Sequence, residues 1–336
     1  MVAVHARGNL NEWDFHASEH TFIATIFDSR EGNGTVMFIF IAGFLFQYLT
    51  QTKFEYGKYL EQKFKYVILP YLLLSIPIII FRIATNFQPH GYPTVFSDHS
   101  LFYRLFYYLV TGAHMAPFWF VSAIVLFYLS SPMLRAMDKP FFYKYVFPII
   151  LLTVFFTYRP DHNANPILSY LHYFPIYYLG MWAAYYKDNI LAASRWIFYP
   201  LIAIYVGICA LELTDVIPTE QKITFEQVIN YGTIAFNLYI LKAILLCFIM
   251  LMLLYKLRNR KMPLLEILGE YSFGVFFVHF LLIMFTKKAY FLLLGPMTFS
   301  LLSFAIFFAF ILLCSIAIVY FIKKLTGSYS RNLIGS

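Results

Sequence analysis

His5 stands where a short apolar run gives way to a polar segment, "VAVHARGNLNE". A neutral imidazole at such a boundary can take a proton from a hydroxyl and return it to a leaving group near neutral pH. A lone His in or near a span is more often a packing or interfacial residue. Lys63 and Lys65, in "YLEQKFKYVILPYLLL", stand at the entrance of an apolar stretch. Two ammonium groups there either hold the phosphates of a donor or anchor the stretch at its basic end. Lys242 lies inside "NLYILKAILLCFIMLMLLY", where a charge is costly. The expectation is that its long stem snorkels to the interface. Glu212 and Arg82, near the ends of apolar runs, read as interfacial, and His16, His20, His90, His99, His114 and His162 read as loop residues. His16 and His20 have a spacing that would suit metal ligation only in a helix, so no metal site is expected. Cys209, Cys247 and Cys314 fall in apolar runs without a CxxC pair and read as small core residues.

The elements that must position these groups follow from composition. Of 336 residues, 61% are hydrophobic, 21% aromatic and only 12% charged. The mean hydropathy is +0.68. A soluble domain has roughly 45–50% apolar and 25% charged residues, so the expected surroundings are lipid. The net charge of +8 is then a topology signal rather than evidence for nucleic acid. Apolar stretches of spanning length recur at 35–50, 64–83, 117–137, 144–158, 167–186, 196–213, 234–255, 264–286 and 299–322. Unpaired backbone groups are too costly in hydrocarbon, and barrel-like alternation is missing, so the expected fold is an all-α, polytopic transmembrane bundle in one domain, 1–336.

Lys and Arg concentrate in alternate connections, around Lys53, Lys58, Lys63 and Lys65, then Arg135 to Lys144, Lys187 and Arg195, Lys256 to Lys261, and Lys323 to Arg331. The positive-inside rule places these in the cytoplasm, with the C-terminal tail. Segments 9–34, 84–116, 159–166 and 214–233 then face outward, and "LFYRLFYYL" at 101–109 has the spacing of an interfacial helix. Pro70 is expected to kink its span. No cleavable signal sequence is legible at the N-terminus. The first residues read instead as the last turns of a further span ending near His5, which makes nine complete spans and part of a tenth.

Several segments, in this order, resemble the acyltransferase 3 family of membrane-bound O-acyltransferases. "VAVHA" at 2–6 is similar to the end of that family's first helix, with its essential His. "VMFIFIAGFLF" at 36–46 resembles its "FF-SGFL" helix, with Ala42 in place of Ser, and "YLEQKFKYVILPYLL" its basic pair and "ILPY"-like helix, with Lys63 and Lys65 for the usual Arg-rich pair. "APFWFVSAIVLFYLSSPML" at 116–134 places Trp119 on the Trp of "LWFL…Y…P". "YFPIYYLGMWAAYY" at 173–186 and "LLEILGEYSFGVFFVHFLLI" at 264–283 resemble an "F-LG" helix and an "LG-SY-IYLLH" helix, the latter reaching His279. An Arg that the family carries upstream of its His would here precede Met1, as in a misassigned start or a truncated, inactive member.

The resemblance implies transfer of an acetyl or other short acyl group from cytosolic acyl-CoA to a hydroxyl of an extracytoplasmic glycan or lipid-linked sugar, in a multi-pass protein of the cell membrane. His5 would be the general base, Lys63 and Lys65 would bind the donor, and Trp119 and His279 would line the acceptor channel. Acyl-CoA is a substrate there and no bound cofactor is implied. Expected partners are the glycan acceptor, acyl-CoA and membrane lipid. The alternatives are an exporter of polysaccharide or lipid-linked sugar, against which stands the lack of inverted repeats, and a structural subunit of a glycan synthase complex.

Overall fold

The computed structural model describes residues 2–7, 13–15, 33–89, 92–157, 160, 165–214, 216, 237–295 and 297–335. His16, His20, His90 and His162 lie outside these residues. The chain forms α1 (Val2–Arg7), α2 (Asn33–Thr50), α3 (Tyr56–Ala84), α4 (Leu101–Thr111), α5 (Trp119–Leu129), α6 (Ser131–Ala136), α7 (Phe142–Val154), α8 (Pro166–Tyr185), α9 (Lys187–Leu213), α10 (Leu238–Leu257), α11 (Pro263–Leu294), α12 (Leu301–Thr326) and α13 (Ser330–Ile334). A three-residue parallel pair, β1 (Trp13–Phe15) with β2 (Met297–Phe299), is the departure from all-α among the described residues.

Each expected span falls mainly on helix over its described residues; positions 158 and 234–236 of two of them lie outside those residues. By length and composition α3, α9, α10, α11 and α12 can cross a membrane, while α2, α5 and α7 are apolar but shorter. The span expected at 117–137 is broken at Ser130, where Pro132 opens α6. The interfacial helix expected at 101–109 is α4, which exposes Leu101, Phe102 and Phe106 and buries Arg104 and Tyr108.

Pro70 does more than kink α3. A proline lacks its N–H and its ring crowds the carbonyl one turn earlier, and a π-helical turn at Phe64–Ile68 widens the helix there. The pattern recurs in α7, where a π turn at Phe142–Val146 precedes Pro148. A similar local sequence, Lys-Tyr-Val shortly before Pro, occurs in both.

The centre of the bundle is α8, wrapped by α2, α5, α7 and α10. Tyr173, Tyr177 and Tyr178 are buried, and the Tyr178 hydroxyl donates to the Met137 carbonyl at 2.7 Å. A tyrosine-rich helix survives at membrane depth because protein, not lipid, surrounds it. Its crossing with α2 rests on two glycines. A Cβ on Gly43 would come within 1.9 Å of the Tyr177 carbonyl oxygen, and one on Gly180 within 2.1 Å of that of Phe40. Small residues at a crossing let two backbones touch, the usual way membrane helices gain van der Waals contact. The glycines of "IAGFLF" and "YYLGMW" are therefore one packing device.

His114, expected in a solvated loop, is fully buried. Its Nδ1–H donates to the Tyr108 carbonyl (3.1 Å), so Nε2 accepts from the Ser75 hydroxyl (2.9 Å), tying the loop after α4 to α3. Burial pushes its pKa down to about 4, with the Arg82 charge adding to the fall and the Tyr108 carbonyl opposing it. The unfolded chain thus takes up a proton near the usual 6.5 while the folded chain waits until about 4, and stability falls as pH drops through that window. The full difference is roughly 3 kcal/mol. The midpoint of thermal unfolding in detergent should fall between pH 6.5 and pH 4, and His114→Gln should flatten part of that slope. An equally steep slope in the variant would show that His114 is not its source.

Candidate functional site

The N-terminal helix is held by its small face. Ala3 and Ala6 pack against Ile283 of α11 and Phe304, Phe307 and Ile311 of α12. That packing turns half-buried His5 toward α11, where its ring lies 5.4 Å from that of His279 and 5.3 Å from that of Phe280. His279 is fully buried. Its Nδ1–H donates to the Val275 carbonyl at 2.8 Å. In the neutral ring Nε2 must then be a bare acceptor, and among the described residues it has no hydrogen-bond partner. A buried acceptor left open beside a second imidazole can receive a proton. The two histidines, placed separately along the sequence as base and channel residue, form one pair.

A cavity of about 760 Å³ opens at the basic end of the bundle. Its walls come from α2, the first half of α3, α5, Tyr177 of α8, Phe273 of α11 and the C-terminal α13. On α2 it reaches from Thr50 to Phe38, about 18 Å of helix at 1.5 Å per residue. Its lining is largely apolar and aromatic, with buried Phe46 and Ile124 beside Phe120 and Tyr128, and its basic end carries Lys53, Lys58, Lys63 and Arg331 with, among the described residues, the carboxylate of Glu55.

These cations are not equivalent. Lys53 and Lys58 both pair with Glu55, at 2.8 and 2.6 Å. The two together hold the exposed Glu55 carboxyl below its usual pKa. Lys63 and Arg331 have no ion pair among the described residues. The Lys63 ammonium lies 5.2 Å from the centroids of Tyr59 and Tyr128, and the Arg331 guanidinium 4.1 Å from that of Tyr66. Ring faces stabilise a cation without neutralising it.

Lys65 does not join Lys63. It lies outside the cavity lining, is exposed, and pairs with Glu61 at 2.5 Å. Two residues along a helix turn a side chain by about 200°, so a Lys-x-Lys pair cannot share one face. Trp119 does not line the cavity either. Partly buried, it stacks on Tyr173 of α8 at 5.9 Å and packs against the main core, with its neighbour Phe120 on the cavity wall.

The cavity and the histidine pair are joined along α11. Phe273 lines the cavity, and His279 lies six residues on, about 9 Å along the axis. Between them Phe276 meets Phe120 at 5.9 Å and His279 at 6.4 Å. One aromatic ring thus separates the inner wall of the cavity from the imidazoles.

Lys242 and Glu212 correct the snorkelling and interfacial expectations. Both are buried, and the Lys242 ammonium donates to Glu212 Oε2 at 2.5 Å, bridging α9 and α10. Arg331 carried no signal beyond its place among the tail cations, because its partner surface is made by α3.

Among the described residues, no group of three or more His, Cys, Asp or Glu could hold a metal ion. No curated protein and no solved structure matches the chain. The family model described as an acyltransferase domain, that of acyltransferase 3, matches residues 1–320. An open imidazole pair, reached along one helix from a cation-rimmed cavity, therefore belongs to a multi-pass membrane protein of the acyltransferase 3 family.

Proposed function

We propose that this protein moves a short acyl group from a cytosolic CoA thioester to a hydroxyl of a glycan or lipid-linked sugar on the far side of the membrane. The observation that carries this reading is the arrangement along α11. An aromatic cavity with unneutralised cations at its mouth ends one aromatic ring short of the His5–His279 pair. A phosphate-bearing head suits the mouth, where charge-assisted contacts are available, and an extended thioester arm suits the apolar interior.

The acceptor oxygen attacks the thioester carbonyl carbon, His5 takes the hydroxyl proton, and the C–S bond breaks to release CoA, whose thiolate recovers that proton. His279 stands beside His5 as the second acceptor. Attack by an oxygen losing its proton needs a base within reach of the hydroxyl, and two imidazoles near neutral pH supply one without a formal charge in hydrocarbon.

The test is transfer of a radiolabelled acetyl group. Purified protein in detergent, given labelled acetyl-CoA and a panel of glycans and lipid-linked sugars, should place the label on an acceptor and release free CoA thiol in equal amount. Label that stays on CoA while reconstituted vesicles move unmodified glycan would identify an exporter and overturn the reading.

A further inference from the structure

Resting on the acyl-CoA reading, we propose that Arg331 is the second cation of the donor's phosphate site, so that the C-terminal segment completes that site. Arg331 lies beyond the matched residues 1–320, and nothing in its local sequence singles it out. Its position is nevertheless built. Ile334 of α13 is buried with Val275 of α11 and Val319 of α12, and Ser330 is buried as well. Gly335 lies so close to the Phe273 ring that a Cβ would approach it to 2.1 Å, and Tyr66 of α3 backs it. The segment is docked into the bundle at the level of the π turn of α3, and that docking delivers Arg331 to the cavity mouth.

The charge pattern identifies the ligand class. Among the described residues the lining cations are Lys53, Lys58, Lys63 and Arg331, against the carboxylate of Glu55. Glu55 is already shared by Lys53 and Lys58. Lys63 and Arg331 are left facing one cavity beside tyrosine rings, with no ion pair among the described residues. Two like charges held together without a carboxylate partner among the described residues favour a multivalent anion, and the planar guanidinium fork matches phosphate oxygens better than an ammonium does. A nucleotide-diphosphate head such as that of CoA carries several such groups, whereas the pantetheine arm carries none.

That difference supplies the experiment. Initial rates are measured on the full chain in detergent with acetyl-CoA and with S-acetylpantetheine, which keeps the thioester but lacks every phosphate. Arg331→Ala should raise KM for acetyl-CoA about tenfold, leave kcat within twofold, and leave KM for S-acetylpantetheine unchanged. Arg331→Lys should lie between. An equal rise with both donors would mean that Arg331 only holds the C-terminal segment in place, and an unchanged acetyl-CoA KM would remove it from the site; either overturns the inference while leaving the acyl-CoA reading intact. Wild-type protein that transfers acetyl from neither donor would overturn that reading and the inference with it.

Discussion

Replacing His5 with Ala should lower kcat for acyl transfer by roughly 10²–10⁴-fold, the usual contribution of a positioned general base, while KM for acetyl-CoA stays near its wild-type value. The split follows from geometry. His5 lies in the α1–α11 contact with His279, on the far side of Phe276 from the cavity that would receive the donor. His279→Phe keeps an aromatic ring at the buried position but removes the open Nε2 acceptor, and it should show a loss of similar direction. If the imidazoles act as a unit, the double variant should be little worse than the poorer single one, because groups that share one proton are strongly non-additive. Membrane abundance and the thermal midpoint of each variant separate a chemical loss from an unfolded protein. Full activity in His5→Ala would remove it from the mechanism. A His279→Phe variant with wild-type kcat would leave His279 a packing residue whose open nitrogen has no chemical role.

Much of the scaffold was legible because lipid imposes a simple rule: apolar stretches of spanning length must be helical. The helical assignments at 35–50 and 264–286 needed nothing more. The glycines of α2 and α8 were visible as parts of two motifs, but a motif does not say that Gly43 faces Tyr177 while Gly180 faces Phe40. The π turns were half legible, since Pro70 announces a distortion without giving its form. His5 and His279 lie at opposite ends of the chain, and their proximity depends on α1 packing against both α11 and α12. Lys63 and Lys65 show the opposite failure. Neighbours in sequence suggested one binding pair, and helical rotation sends them to different surroundings. Arg331 was unreadable for the same physical reason as the histidine pair: its role depends on a tertiary contact, that of α13 with α3.

The second large effect concerns the ion pair buried between α9 and α10. Lys242→Met alone should leave the buried Glu212 carboxylate without the ammonium that donates to it, and Glu212→Leu alone should take from the buried Lys242 ammonium the carboxylate it donates to. Removing one partner of a buried pair costs about 3–5 kcal/mol. Both residues are essentially without solvent exposure, at 0% and 1%, so water cannot replace the missing partner unless the helices part. Glu212 Oε1 already lacks a hydrogen-bond partner among the described residues, so the carboxylate has no second attachment there to fall back on. The double variant Glu212→Leu/Lys242→Met should recover most of the stability, because two apolar side chains of similar volume remove both desolvation penalties together. Denaturant unfolding in detergent should therefore show a favourable coupling between the two sites of more than about 2 kcal/mol. Single variants that lose less than about 1 kcal/mol would mean that Lys242 reaches the interface after all, with its stem snorkelling as the sequence suggested.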